Sequence, residues 1–274
     1  MSHERVNVTI DEHGVADVAL ARPEKMNALD GAMFEALAKT LERLAQEPGL
    51  RAVVLHGEGR AFCAGLDMAS FAAMREDAKL DVARDLAART HDAANLFQHV
   101  AWGWRELPIP VVAAVHGVAF GGGLQIALGA DVRLVTPDLK VSVMEIKWGL
   151  VPDMAGCVLM NQLARTDVVR ELTFTGRTFT GSEAVVLGLA TRVSADPLAE
   201  ARELARQMAL QNPDAIRANK RLLNLALNAN ERDVLIAESL EQQRLIGSAN
   251  QIESVRAGIE KRPARFVDTP PRGR

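Results

Sequence analysis

The chain has 274 residues, 48% of them hydrophobic and 24% charged, a balance that suits one large folded domain or two smaller ones and excludes a wholly disordered or collagen-like chain. Its 32 basic and 35 acidic residues leave a net charge of −3, which argues against a protein whose main work is gripping nucleic acid. Two cysteines, Cys63 and Cys157, are too few for a disulfide scaffold or a thiolate zinc site and fit a reducing compartment.

Residues 1–10 lack the apolar stretch of a signal peptide, and the longest apolar run, 109–128, is interrupted by Pro110, His116 and several glycines. A soluble cytoplasmic protein without a membrane span is expected. Residues 6–10 and 15–20 alternate in period two around Gly14, which predicts a hairpin. Met33, Leu37, Leu41 and Leu44 recur at helical spacing, predicting a helix over 30–46 that Pro48 and Gly49 end. A buried strand at 52–55, a loop of small residues over 57–67 and one or two helices within 70–106 follow. Strands are then predicted at 111–115, 132–135, 141–144 and 189–193. Helices alternate with them at 124–128, 154–163 and 184–187, the last opened by a Thr180 and Glu183 capping box. From Pro197 onward the chain reads as helix: 198–210, 213–229 with Asn212 as cap, 231–246 and 250–260. The expected organisation is an α/β core over 1–196 followed by an all-helical region over 197–274.

Two turns bear chemistry. The segments 62–67 and 117–124 each follow a strand, and the run Gly121-Gly122-Gly123 removes every β-carbon just where a helix start leaves N–H groups unpaired. Such a turn either receives an oxyanion or simply permits tight packing. Its spacing does not fit a dinucleotide fingerprint. Glu145 ends an apolar strand, where desolvation should raise its pKa toward neutrality. Asp153 is either a second acid or the N-cap of the helix that follows. His56 and His116 read as core or turn residues because neither has the partners of a triad. No His, Asp and Glu cluster has metal-ligand spacing, so no metal is expected.

The stretches 22–29, 61–67, 116–131, 145–153, 175–184 and 260–262, in this order along nearly the whole chain, resemble the crotonase (enoyl-CoA hydratase/isomerase) family. The resemblance implies a crotonase-like spiral of ββα repeats and a C-terminal helical region that assembles a homotrimer or a dimer of trimers. It also implies an acyl-CoA thioester substrate whose coenzyme A is part of the substrate, with no separate cofactor. By the same resemblance the oxyanion donors fall on the backbone N–H groups of Leu66 and Gly122. Coenzyme A contacts fall around Lys25, Met26 and Ala64, with Lys261 or Phe266 reaching over from the helical tail, and Asp67 is structural.

Hydratases of the family use two glutamates, and here the second is Glu145 while the first position holds Gln125, which can orient a water but cannot take its proton. Acids at both 145 and 153 resemble the dienoyl-CoA isomerases, whose third acid would fall at Gln125. The leading expectation is double-bond isomerisation through a stabilised enolate. Hydration by Glu145 with a Gln125-bound water is an alternative, as is a non-catalytic acyl-CoA-binding scaffold. Phe71, Met74, Phe97, Trp102 and Trp104 are candidate pocket walls. The apolar surface of Leu222, Leu223, Leu225, Leu227, Leu235 and Ile236 motivates the expected assembly.

Overall fold

Strand pairing sets the architecture of the computed structural model, which describes residues 4–69 and 85–268. β1 (Val6–Ile10) and β2 (Val15–Leu20) form the expected hairpin, with Val6 opposite Leu20. β2 pairs in parallel with β3 (Ala52–Gly57), which pairs in parallel with β4 (Val111–Val115). β6 (Val132–Val135) and β9 (Arg192–Val193) complete a six-stranded sheet in the order β1-β2-β3-β4-β6-β9. A smaller sheet joins β5 (Val118–Phe120), β7 (Lys140–Ser142) and β8 (Phe179–Thr180).

Every residue of β3 and β4 is buried, as a parallel sheet covered on both faces requires. One face carries α1 (Gly31–Gln46), α2 (Leu96–Glu106) and α3 (Gly122–Leu128). There Met33, Leu37 and Leu41 of α1 and Trp104 of α2 pack with Val53, Leu55 and Val111. The other face is covered by α7 (Pro197–Ala209), whose Ala201, Ala205 and Ala209 lie at helical spacing against Val54, Val112, Ala114 and Leu134. The boundary at 196/197 therefore marks a change of secondary structure but not of packing, because the first helix of the C-terminal region is one wall of the core.

Three short helices, α4 (Gly156–Leu163), α5 (Thr166–Thr175) and α6 (Gly181–Val186), close the small sheet. Then come α8 (Pro213–Leu225), α9 (Glu231–Leu245) and α10 (Ala249–Glu260). The buried Lys220 ammonium fastens α8 to the core by donating to the carbonyls of Trp104 and Ile109 and to Asp131, at 3.1, 2.8 and 2.7 Å. By contrast α9 buries none of its residues in the single chain.

Several sequence expectations are corrected. β7 ends at Ser142 rather than at 144, because its partner β5 stops where Gly121 turns into α3, and Glu145 opens a 3-10 turn, Glu145–Trp148. α4 begins at Gly156 rather than at 154, since Ala155 adopts a left-handed conformation with φ of 63°. The strand expected over 189–193 is paired only at Arg192 and Val193. Helix α5 was not foreseen: β-branched Thr and Val dominate it, and only Val169 and Leu172 are buried. Trp104 is not a pocket wall, for it is fully buried and donates to Val100 O at 2.9 Å. Phe97 packs edge-on against Phe34, and Phe71 and Met74 lie outside the described residues.

Asn27 holds together the loops that lead to the site. Buried, with φ of 54°, it donates from Nδ2 to the carbonyls of Glu58, Ala61 and Phe62 and accepts the N–H of Arg22 on Oδ1. Asn27→Ala leaves these groups unpaired, and we expect a loss of about 2–4 kcal/mol in urea unfolding. A loss below about 0.5 kcal/mol would show that the loop does not depend on this side chain.

Candidate active site

The site is assembled where three chain segments meet beyond the C-terminal ends of β3 and β4. Phe62 N donates to His116 O, and Cys63 exchanges hydrogen bonds with Val118 O and Phe120 N, both at 3.1 Å. On its other side the same segment meets residues 26–29: Ala64 N donates to Met26 O, Leu29 N to Gly65 O and Asp67 N to Leu29 O. Met26, Ala64 and Leu66 thus share one edge, and exposed Lys25 precedes Met26 close enough to favour the ionised form of Asp67.

Asp67 has the structural role expected of it. Its carboxylate accepts Ala69 N at 2.8 Å and Arg22 Nη1 at 2.6 Å. Burial acts to raise its pKa, but these donors outweigh burial and hold it below the usual carboxylate range. Buried Cys63 is no nucleophile: desolvation pushes its thiol up to about 12.

The N–H groups of Leu66 and Gly122 donate to no described residue, while their neighbours Gly121 and Asp67 are both engaged. Gly122 is the first residue of α3, where an N–H has no intrahelical acceptor. The two turns lie against each other, since a β-carbon added to Gly65 would lie 3.8 Å from Gly122 N and 2.7 Å from Phe120 O. Gly122 itself has no room for a side chain: a β-carbon there would come within 2.7 Å of Met154 Sδ and 2.9 Å of Leu29 Cδ1.

The Glu145 carboxyl lies over the bare face of Gly121, 3.2 Å from where a β-carbon would stand. Its Oε1 accepts Gln125 Nε2 at 2.6 Å, while its Oε2 is buried with no hydrogen-bond partner among the described residues. Burial raises its pKa, and the nearby charge of Asp153 raises it further against the pull of the Gln125 hydrogen bond. Asp153, on the turn before α4, is exposed at its outer side, yet crowding by surrounding protein raises its pKa as well.

The expectation that Asp153 could be a helix cap is overturned. α4 has no side-chain cap at its own N-cap residue. Gln125 Oε1 serves instead, accepting Met154 N and Gly156 N, each at 2.9 Å. This narrows the means by which Gln125 could hold a water, because its carbonyl is saturated and one of its N–H donors is spent on Glu145, leaving the other amide hydrogen. No spacing rule in the sequence signals that bridge. Lys261 and Phe266 are not brought to Lys25, Met26 and Ala64 within one chain. Lys261 caps the exposed end of α10, and the Phe266 carbonyl accepts from Arg51, at the opposite end of β3.

A parallel sheet with a second small sheet, a glycine turn that frees a backbone N–H and a buried carboxyl beside it define the crotonase fold. The enoyl-CoA hydratase/isomerase family model matches residues 11–269, and the chain belongs to that family. It is 30% identical to the mouse mitochondrial Delta(3,5)-Delta(2,4)-dienoyl-CoA isomerase over 275 residues, covering 97% of this chain and 83% of the relative. It is 31% identical to the rat protein of the same name over 276 residues, with the same coverage. The crystal structure of enoyl-CoA hydratase from Bacillus anthracis superposes with a TM-score of 0.86 at 26% identity, over 96% of this chain and 98% of that one.

The raised pKa of Glu145 has a sign that can be measured. A carboxyl whose folded pKa lies above its unfolded value contributes its stability at low pH and loses it as pH rises through the folded pKa. Glu145→Gln is therefore expected to melt at a higher temperature than the parent at pH 8, with the gap closing toward pH 4. A gap that stays constant across this range would show that Glu145 is not destabilised as an anion.

Proposed function

We propose that the protein isomerises a double bond in a conjugated dienoyl-CoA thioester. The observation that carries this reading is the pair of carboxyls, Glu145 and Asp153, beside two backbone N–H groups that donate to no described residue: burial raises the proton affinity of both acids, and the charge of Asp153 raises that of Glu145 further. One carboxylate takes the proton from the carbon next to the thioester, and the electrons move onto the thioester oxygen. The N–H groups of Leu66 and Gly122 hold that oxyanion, each donor being worth roughly 3–4 kcal/mol. The other carboxyl, protonated, gives its proton to the far end of the conjugated system, and the dienolate collapses to the isomer. Proton count and charge are conserved, and the reaction draws on no resident cofactor. The names of the mouse and rat relatives support this reading.

Lys25, Met26 and Ala64 receive the coenzyme A portion in this scheme. Lys261 and Phe266 join them from a neighbouring copy, in a homotrimer or dimer of trimers built on the exposed Leu223, Leu235, Ile236 and Ile259. No described helix is long and apolar enough to cross a membrane. Hydration of a 2-enoyl-CoA by Glu145 is the second reading, favoured by the hydratase names among the structural relatives.

A panel of acyl-CoA thioesters followed by ultraviolet absorbance and mass tests both. Isomerisation changes the absorbance at constant mass, whereas hydration adds one water. Glu145→Gln and Asp153→Asn should each lower turnover by about 10²-fold or more, the double variant being little worse than the poorer single one. The pH profile should be a bell: activity falls at low pH when both carboxyls are protonated and at high pH when both are ionised. Its limbs belong to the pair and lie above the ordinary carboxylate range. Full activity of Asp153→Asn on every thioester would eliminate the two-acid mechanism.

A further inference from the structure

Gln125 touches both acid-bearing segments. The residue is 2% exposed, and the orientation of its carboxamide is fixed by chemistry: two backbone N–H groups, of Met154 and Gly156, demand an acceptor, so the oxygen faces them and the nitrogen faces Glu145. The fit is tight enough that a β-carbon on Gly156 would strike Gln125 Oε1. Met154 directly follows Asp153 in the chain. One neutral side chain therefore spans from the carboxyl of Glu145 to the backbone that carries Asp153.

The same bridge distinguishes the two oxygens of Glu145. Oε1 is pinned by the amide at 2.6 Å, whereas Oε2 is buried without a hydrogen-bond partner among the described residues. We propose that Gln125 is a positioning residue that fixes Glu145 relative to Asp153 and, by engaging Oε1, assigns proton transfer to Oε2. This deepens the isomerase reading and rests on it for the nature of the transferred proton. The bridge needs a donor at one end and an acceptor at the other, which glutamine supplies at every pH. An ionised glutamate would set two carboxylate oxygens at hydrogen-bond distance from each other, so a proton would be held between positions 125 and 145 and withdrawn from exchange with Asp153.

Three variants test this: Gln125→Met keeps the side-chain length without hydrogen bonds, Gly156→Ala displaces the amide while leaving Gln125 in place, and Gln125→Glu keeps the acceptor end alone. Gln125→Met and Gly156→Ala should lower kcat by about 10²-fold with KM changed less than about threefold, because alignment is lost and binding is not. The carbon-13 NMR titration of Glu145, assigned by its absence in Glu145→Gln, should move upward by about one pH unit in Gln125→Met once the anion loses its donor. Gln125→Glu should regain rate as pH falls, since a protonated glutamate can donate as the amide does. Rate, pH profile and Glu145 titration all unchanged in folded Gln125→Met would overturn the proposal. Because the titration needs no substrate, a shifted midpoint in a protein that turns over no thioester would sustain the bridge and defeat the isomerase reading.

Discussion

The site depends on how closely two turns approach each other. Residues 62–66 and 117–123 are held by hydrogen bonds between Cys63 and residues 118 and 120, a separation that leaves no space for side chains at Gly65 or Gly123. A β-carbon at Gly65 would crowd Phe120 O and one at Gly123 would press on Cys63. With Gly65 at φ of 85°, the chain leaves the pairing early enough that the next N–H, that of Leu66, has no acceptor among the described residues. Gly121 turns the other chain in the same way, which frees the N–H of Gly122. The two unpaired donors are thus a by-product of close backbone packing, and their direction is set by the fold rather than by any rotamer.

Placing a carboxyl beside these donors is costly, and the surrounding structure offsets the cost in part. Desolvation and the neighbouring Asp153 both resist ionisation of Glu145, while Gln125 and nearby backbone N–H groups favour it. The balance leaves a group that exchanges its proton more readily near neutrality than an exposed glutamate would. Such a site lowers stability, and it needs rigid support. That support comes from the Asn27 network under one turn and from the sheet covered on both faces. It comes also from Lys220, whose ammonium ties α8 to the ends of α2 and β4.

Periodicity made most of the large sheet and its helices legible. The hairpin, the apolar strands and the helix over 30–46 need only alternation, helical periodicity, buried runs and the stop at Pro48 and Gly49, and the structure has each within a few residues. The small sheet was less legible, because β5, β7 and β8 are two or three residues long and owe their existence to partners distant in sequence. α5 was hidden by residues of poor helix propensity that tertiary packing overrides. Within the site, Glu145, Asp153, Leu66 and Gly122 could be marked by family resemblance and by the chemistry of a glycine turn. The engagement of Gln125 could not, since an amide that saturates two backbone donors 29 and 31 residues away leaves no trace in spacing.

That amide bears on the choice between adding water and moving a double bond. Water addition needs a group to hold the attacking oxygen and a base to take its proton, and in hydratases of this fold two glutamates share the work. At position 125 the carbonyl is already shared by two N–H groups, so little more than one amide hydrogen remains to hold a water. The base we propose is Glu145, whose proton affinity the charge of nearby Asp153 raises. Two acids and a neutral clamp suit a reaction in which a proton leaves one carbon and another arrives elsewhere on the same chain of atoms, with no net gain of water. On that reading the backbone donors of Leu66 and Gly122 would serve any reaction that passes through an enolate. On the proposed reading, side chains at three positions, 125, 145 and 153, carry the difference between reactions on one fold.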